Sequence, residues 1–189
     1  MIKKALLVID MLNDFCSPDG KAYHDSYNKI IPDINEVINV ARKNGCLIIF
    51  VRHSYRKDKY DKNLENFEPI CVEGTDGDKI IDKLNFCEKS DYVVFKRRYS
   101  AFFSTDLDLI LRENNIKDLL ITGIKTNNCI RATVHDSYYL DYNTFVIREC
   151  TASKNENSHE INLEDIDKYF GKVLSKKDAI DFLERGEFL

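Results

Sequence analysis

The chain has 189 residues, of which 43% are hydrophobic and 32% are charged. At roughly 150 residues per domain this length predicts a single domain over residues 1–189, with enough apolar side chains for a packed core. Seven Gly and three Pro exclude a collagen-like or low-complexity chain. No apolar run reaches the roughly 18 residues of a membrane span, and a net charge of −4 gives no basic surface for nucleic acid. We therefore expect neither a membrane nor a nucleic acid as partner.

Six cysteines, at positions 16, 46, 71, 87, 129 and 150, show no C-x-x-C spacing. The first residues lead directly into an apolar run at 5–9, without the pattern of a secretory signal peptide. We therefore expect a cytoplasmic protein whose thiols stay reduced. A given cysteine then serves either catalysis or packing.

Buried strands and helices alternate along the chain. Continuous apolar runs predict strands at 5–9, 46–51, 92–95, 118–122 and 144–147, with a further edge strand at 173–174. Helical spacing and capping residues predict helices at about 32–44, 80–84, 105–111, 129–140 and from 175 onward. The segment 54–77 is charged, lacks periodicity and predicts a long surface loop. The alternation indicates an α/β fold in three α-β-α layers, with a mostly parallel central sheet and helices on both faces.

Polar residues follow the predicted strands at the points where the strands end. Asp10 follows the first strand, His53 the second and Lys96 the third. The turn 123–129, which ends in Cys129, follows the fourth strand. Ligands of open α/β sheets bind beyond the carboxyl ends of the strands. We therefore expect these side chains to lie together, although polar residues also end strands for purely structural reasons.

These residue types suit nucleophilic catalysis by a cysteine. Cys129 is predicted at the first turn of a helix, where the helix dipole and Lys96 would lower the thiol pKa and yield a thiolate near neutral pH. Asp10 is suited to accept the thiol proton and return it to a leaving nitrogen. Main-chain N–H groups at the helix start would bind the oxyanion of a tetrahedral intermediate. The pattern indicates acyl transfer through a thioester.

Three segments in this order resemble the isochorismatase-like cysteine hydrolases, which include nicotinamidases and N-carbamoylsarcosine amidohydrolase. They are DMLNDF at 10–15, KRRYSAF at 96–102 and GIKTNNCI at 123–130. The resemblance implies a catalytic triad of Asp10, Lys96 and Cys129. It also implies a cis peptide between Ile124 and Lys125, with the N–H groups of Lys125 and Cys129 as oxyanion donors. A homo-oligomer, dimer or tetramer, is a further implication.

The chain departs from the metal-containing nicotinamidases of that family. Those enzymes carry Asp-x-His after the second strand and a His before a Cys-Val-x-Gly-Thr segment, where this chain has Arg52, Ser54 and Ile70. His53 lies between the first two positions, and a lone imidazole does not hold zinc. We therefore predict no metal and no other cofactor. Loss of a metal that would polarise a pyridine nitrogen argues against nicotinamide, and the presence of Cys129 argues against isochorismate cleavage.

Aromatic residues near the three segments predict the substrate contacts: Phe15, Phe102, Phe103 and, with them, His53. Ordinary core packing is the alternative for each. Four arginines also fall near the strand ends in the sequence, at positions 52, 97, 98 and 131. A guanidinium would suit a carboxylate or ureido oxygen. A solvated surface or a subunit contact is the plainer interpretation, above all for Arg131, which lies about 200° around the helix from Cys129.

The sequence thus predicts a metal-independent cysteine amidohydrolase whose partner is a small amide or carbamoyl compound. A nicotinamidase-type hydrolase of pyridine carboxamides is one alternative. A phosphoryl-receiver signalling module has a similar order of elements, but residues 46–53 lack the phosphoacceptor Asp that it needs. A non-catalytic binding or assembly protein of the same fold remains open. Nucleotide binding is not indicated, since neither G-x-G-x-x-G nor G-x-x-x-x-G-K-[ST] occurs.

Overall fold

The computed structural model describes residues 3–65 and 67–185. Its strands are β1 (Lys3–Ile9), β2 (Leu47–His53), β3 (Tyr92–Lys96), β4 (Ile116–Ile124), β5 (Asn143–Ala152) and β6 (Lys172–Leu174). Its α-helices are α1 (Asn13–Cys16), α2 (Asp25–Lys29), α3 (Ile31–Lys43), α4 (Leu107–Glu113), α5 (Arg131–Tyr139), α6 (Glu156–Tyr169) and α7 (Lys176–Arg185). Within this part of the chain, no helix has the length and apolar character needed to cross a bilayer.

The six strands form one sheet in the order β3-β2-β1-β4-β5-β6, and every neighbouring pair is parallel. The sheet is therefore all parallel in the described residues, where the sequence predicted a mostly parallel one. β1 lies at the centre, between β2 and β4. The carboxyl ends of these strands meet at one edge of the sheet.

Both faces of the sheet are apolar, and helices cover both, so the predicted three-layer fold is confirmed. Along β1, Leu6 and Val8 lie in one core, while Leu7 and Ile9 lie in the other. The first core is closed by α1, α2, α3 and α7, and the second by α4, α5 and α6. Alternate side chains of a strand point to opposite faces, which explains this division.

Several local predictions needed correction. The predicted helix at 80–84 is a turn, because α3 binds this segment through Asn35 to the carbonyl of Lys83 and through Arg42 to that of Asn85. The hydrophobic pattern also did not predict α6. Its buried face includes His159 and Asn162 beside apolar residues, so the hydrophobic periodicity is weak there.

The segment 54–91 connects β2 to the edge strand β3, and its described residues, 54–65 and 67–91, contain no α-helix or named strand. It is not simply the surface loop that the sequence predicted. Cys71 is completely buried, and the carboxylates of Asp61 and Asp78 are also buried. Parts of this segment therefore pack against the body of the protein, next to the strand ends.

Candidate active site

Asp10 occupies the first position after the central strand β1, in a left-handed backbone conformation with φ of 56°. Asp tolerates this region better than most residues do. Its N–H donates to the carbonyl of Val51 at 2.9 Å, and its Oδ1 accepts the N–H of His53 at 2.9 Å. Backbone bonds from β2 therefore hold the carboxylate at the sheet edge.

Lys96 links the three side chains that the sequence predicted as a triad. Its Nζ lies 2.7 Å from Oδ2 of Asp10 and 3.4 Å from Sγ of Cys129. The carbonyl of Arg98 lies at 3.2 Å from the same nitrogen. The Lys96 side chain has no exposed surface, so the ion pair with Asp10 is shielded from solvent. The structure thus brings Asp10, Lys96 and Cys129 together from the ends of β1, β3 and β4.

Burial has the largest influence on the thiol pKa of Cys129. It raises the pKa of the thiol to about 12; Lys96 acts in the lowering direction and Asp10 in the raising one. Burial also tends to lower the pKa of Lys96, but Asp10 and Cys129 more than offset this, and the pKa of the ammonium rises. The direction of this shift is opposite to the one expected from the sequence, where the helix start and Lys96 were expected to lower the thiol pKa. A helix start and one lysine do not ionise a thiol that is buried beside a carboxylate.

Cys129 lies in a π-helical turn, Thr126–Ile130, that precedes α5. Thr133 donates to the carbonyl of Cys129 at 2.7 Å and accepts the N–H of Ala101 at 3.0 Å, which ties this turn to the chain after β3. Such turns are frequent at functional sites. The sequence placed Cys129 at the start of an ordinary helix, whereas the turn begins three residues before it.

The chain before that turn approaches β1 very closely. Gly123 has φ of 107°, and a Cβ there would lie 2.1 Å from the carbonyl oxygen of Ile9, so a larger residue does not fit. The peptide bond between Ile124 and Lys125 is cis. Lys125 and Cys129, the two predicted oxyanion donors, both line the pocket beside Asp10.

His53 contacts Lys96 from the end of the neighbouring strand β2. Its Nδ1 lies 3.2 Å from Nζ of Lys96, and because an ammonium only donates, Nδ1 accepts and the ring hydrogen resides on Nε2. Burial, with Lys96 next in size, lowers the pKa of His53 to about 4, so the ring is neutral. Tyr55 packs on the ring, with the centroids 4.4 Å apart. His53 borders the pocket, but its shortest polar side-chain contact is with Lys96.

A pocket of about 160 Å³ adjoins these groups. This is below the roughly 300–1,000 Å³ of sites for drug-sized ligands, so it suits a small molecule. Its lining is partly aromatic and partly charged, and comprises Asp10, Phe15, His53, Tyr55, Phe67, Glu68, Ile70, Tyr99, Ile124, Lys125, Asn128 and Cys129. The segment 54–91 supplies four of these residues: Tyr55, Phe67, Glu68 and Ile70.

Of the three predicted substrate-contact rings, Phe15 borders the pocket, whereas Phe102 and Phe103 do not. Phe102 is buried in the second core, where it stacks on Tyr142 with the centroids 5.8 Å apart. Phe103 is 58% exposed and does not border the pocket. The sequence missed Tyr55, Tyr99 and the side chain of Lys125. Tyr99 and Lys125 lie inside two of the segments that carry the family resemblance, but the sequence does not show that their side chains point into the pocket. Tyr55 lies in the segment 54–77, which has no periodic pattern from which its position could be predicted.

The three positions that correspond to metal ligands in the nicotinamidase resemblance do not fit a metal ion. Nε of Arg52 donates to the carbonyl of Asp78 at 2.7 Å and its guanidinium pairs with the carboxylate at 3.1 Å. Ser54 donates to the same carboxylate at 3.0 Å. A guanidinium has no acceptor atom that could bind a metal ion, and the hydrocarbon side chain of Ile70 has no ligand atom at all. A cation, Arg52, therefore stands where a metal ion would need an anionic ligand.

One group of side chains with metal-binding atoms occurs among the described residues, but it lies away from this pocket. It consists of Glu156, His159 and Glu160 at the start of α6. Arg148 already pairs with Glu160, and Nδ1 of His159 is bonded to Oγ1 of Thr126 at 2.8 Å. Two of its three members, His159 and Glu160, therefore already have protein partners.

The arginines considered as anion-binding residues have protein partners. Arg98 binds the carboxylate of Asp61 at 3.0 Å, and Arg97 lies 3.9 Å from it. Arg131 donates to Asn162 at 3.3 Å. Neither these three arginines nor Arg52 border the pocket. The structure therefore does not bring these four guanidinium groups to the pocket as anion-binding groups, and Arg52, Arg97 and Arg98 lie instead next to buried carboxylates.

Comparison with known proteins places this arrangement in a family. The Isochorismatase domain model matches residues 4–178. A probable inactive nicotinamidase of Arabidopsis thaliana is 37% identical over 171 residues, covering 86% of this chain and 87% of the relative. Maleamate amidohydrolase of Pseudomonas putida is 28% identical over 188 residues, covering 96% of this chain and 87% of the relative.

The fold agrees with this placement. The crystal structure of an isochorismatase-like hydrolase from Alkaliphilus metalliredigens matches with a TM-score of 0.89 at 33% identity, covering 98% of this chain and 100% of the other. The family model spans most of the described residues, and the matched segment includes all three strand ends that carry Asp10, Lys96 and Cys129. The chain therefore belongs to the isochorismatase domain family.

Proposed function

We propose that the protein is a metal-independent cysteine amidohydrolase that cleaves the C–N bond of a small amide or carbamoyl compound through a thioester. One observation carries the proposal. The buried ammonium of Lys96 forms an ion pair with the carboxylate of Asp10 and a hydrogen bond with the sulfur of Cys129, at the end of a small pocket. A nucleophile beside a base that a third group holds in place is the arrangement of covalent catalysis.

In the first half of the reaction the thiol of Cys129 gives its proton to Asp10 as the sulfur forms a bond with the substrate carbonyl carbon. The negative charge moves to the carbonyl oxygen, where the N–H groups of Lys125 and Cys129 would stabilise it. The C–N bond then breaks, and Asp10 returns the proton to the departing nitrogen, which leaves as ammonia or an amine. An acyl thioester on Cys129 remains.

In the second half water attacks the thioester carbon while Asp10 accepts a proton from it. The C–S bond breaks, the acid is released, and the sulfur recovers its proton from Asp10. Lys96 keeps its charge throughout and balances, in turn, the carboxylate and the sulfur. A thiol pKa of about 12 in the free protein fits this sequence, because the proton leaves only when a carbonyl carbon is in reach.

The occupied positions around Asp78 support the metal-independent version. Arg52 and Ser54 together satisfy that carboxylate, so this chain builds an ion pair where the nicotinamidase resemblance would need metal ligands. The pyridine-carboxamide alternative is therefore the weaker one. The name of the Arabidopsis relative, a probable inactive nicotinamidase, makes a non-catalytic role the main competitor.

The experiment is mass spectrometry of the intact protein during incubation with a panel of small amides, alongside an assay of released ammonia or amine. We expect an acyl adduct on Cys129, turnover that survives treatment with a chelator, and loss of both adduct and turnover in Cys129→Ala. Cys87→Ala, at an exposed cysteine far from the described site, is the matched control and should behave as the wild type. A panel that yields no adduct and no product would favour the non-catalytic role, and inhibition by chelator would contradict the metal-free mechanism.

A further inference from the structure

The side chain of Lys125 is a cation in the pocket that the proposed chemistry does not use. It borders the same pocket as Cys129, and its Nζ lies 5.3 Å from the centroid of the Phe15 ring. The side chain is only partly accessible to solvent. Among the described residues, no carboxylate oxygen lies within 4.0 Å of this Nζ, the distance at which an ion pair would form.

Other basic side chains around the pocket have acidic partners. Lys96 pairs with Asp10, Arg52 with Asp78 and Arg98 with Asp61. A chain with 32 Asp and Glu residues has no shortage of carboxylates. The contrast identifies Lys125 as the positive charge in the pocket lining that protein groups leave without a counter-ion.

The surroundings of Lys125 favour an added negative charge. Burial lowers the pKa of its ammonium, and the charge of Lys154 on the next strand's end acts in the same direction, against opposite effects of Cys129 and Asp10. Holding this cation without a partner is thus unfavourable, and a bound anion would relieve that cost. Glu68 also borders the pocket, but it is exposed, so solvent screens its charge more strongly.

We propose that Lys125 binds an anionic group of the substrate, and that the substrates are small amides that carry a carboxylate a few bonds from the reacting carbonyl. This inference rests on the proposed function, because it assigns the substrate class of the same site. The Phe15 ring under the ammonium and the limited pocket volume restrict the acid to a short chain. The amide end lies at Cys129 and the carboxylate end at Lys125.

The first experiment measures charge selection without turnover. Iodoacetate and iodoacetamide both alkylate a cysteine sulfur, which forms a C–S bond and releases iodide and the thiol proton, and the two reagents differ in one negative charge. All proteins carry Cys87→Ser to remove the exposed thiol, and mass spectrometry follows Cys129. We expect the ratio of the iodoacetate rate to the iodoacetamide rate to fall at least about fivefold in Lys125→Met.

Lys154→Met is the matched control. It removes the same charge from a residue that influences Lys125 but does not border this pocket. We expect the ratio to change less than about twofold in this variant. Equal changes in both lysine variants would overturn the inference in favour of a diffuse electrostatic effect. An unchanged ratio in Lys125→Met would overturn it outright.

The second experiment uses matched amides of three lengths: malonamate, succinamate and glutaramate, each against its neutral diamide. Because a diamide has two amide groups, its kcat/KM is halved for the comparison. We expect the wild type to prefer at least one monoamide over its diamide about tenfold in kcat/KM, and we expect Lys125→Met to lose this preference. A proportional loss on both members of a pair would mean that Lys125 acts on the oxyanion, which overturns the inference.

The two experiments separate this inference from the proposed function. If Lys125 selects iodoacetate but no amide acylates Cys129, the anion site stands and the amidohydrolase proposal fails. If amides acylate Cys129 without preference for a carboxylate, the hydrolase stands and the inference fails.

Discussion

Two parts of the site are held in different ways: the floor (Asp10, Lys96 and Cys129, the proposed catalytic residues) and the pocket wall (Tyr55, Phe67, Ile70 and Tyr99). Each floor residue comes within a few residues of a strand end, and the strands are fixed by parallel backbone ladders. The wall comes largely from the segment 54–91, and the part of this segment that the structure describes forms no such ladder.

Buried carboxylates hold the wall instead. Asp14 accepts the N–H of Cys71 at 2.6 Å, and a Cβ at Gly77 would lie 2.3 Å from its Oδ2. Asp61 and Asp78 are likewise satisfied by arginine and backbone or hydroxyl donors. Backbone geometry thus sets the chemistry, while a few side-chain contacts set the pocket's shape. The wall can therefore vary without displacing the floor.

The largest expected effect is that of Asp10→Asn in the floor. Turnover should fall about 10²–10⁴-fold, because the proton acceptor is lost. Removal of a negative charge beside the thiol also leaves Lys96 to lower its pKa, so alkylation of Cys129 at neutral pH should become faster. Steady-state kinetics corrected for the folded fraction, with alkylation rates, measure both. Slower turnover together with slower alkylation would indicate simple misfolding of the site.

His53 provides a pH test of the floor. Its pKa is about 4 in the folded protein against 6.5 in the unfolded chain, so between these values the unfolded state binds the extra proton. The neutral ring of His53 therefore makes its full contribution to the free energy of unfolding above pH 6.5. This contribution, about 3 kcal/mol, is lost as the pH falls towards 4. Urea unfolding across this range should show a shallower pH slope in His53→Gln. His135 and His159 also have lowered pKa values, but both residues are present in the wild type and in the variant. Their contributions to the pH slope therefore cancel in the comparison. An identical slope would contradict a neutral, buried His53.

In the wall, Asp14→Asn tests the carboxylate that binds Cys71. An amide accepts less strongly than a carboxylate and brings a donor that has no acceptor there, so we expect a loss of about 1–3 kcal/mol in unfolding free energy. KM should rise with little change in kcat, because the wall moves and the floor does not. Chemical denaturation and steady-state kinetics check this. A fall in kcat as large as that of Asp10→Asn would mean that floor and wall are not separable.

The smallest effect belongs to the residue that lies outside both regions. Phe103→Ala should leave stability within about 0.5 kcal/mol and KM unchanged, because this exposed ring contacts neither the core nor the pocket. Phe15→Leu, at a pocket residue, is the comparison and should raise KM. Thermal unfolding and initial rates suffice. A raised KM in Phe103→Ala would restore its predicted role as a substrate contact.

The floor could be located from the sequence for a simple reason. A doubly covered parallel sheet needs continuous apolar runs, and the first polar residue after such a run marks a strand end. Asp10, Lys96 and the turn that ends in Cys129 all follow this rule. The family resemblance then pointed to the same three residues.

The wall could not be located in that way. Phe102 and Phe103 are adjacent and chemically identical, and only packing decides that one lies in the core and the other in solvent. The ion pairs of Asp61 and Asp78 join residues 37 and 26 positions apart, with no local pattern to announce them. Long-range pairs of this kind become visible only when the chain is folded.

The sequence by itself determined the α/β order, the strand ends and the identity of the residues at the sheet edge, because these follow from local hydrophobic patterns. The tertiary structure decided the order of the strands, the partners of every arginine near the pocket and the lack of a partner for Lys125. It also decided that the pKa of Cys129 is raised, because a pKa depends on burial and on charges brought from distant strands, and neither is a property of the local sequence.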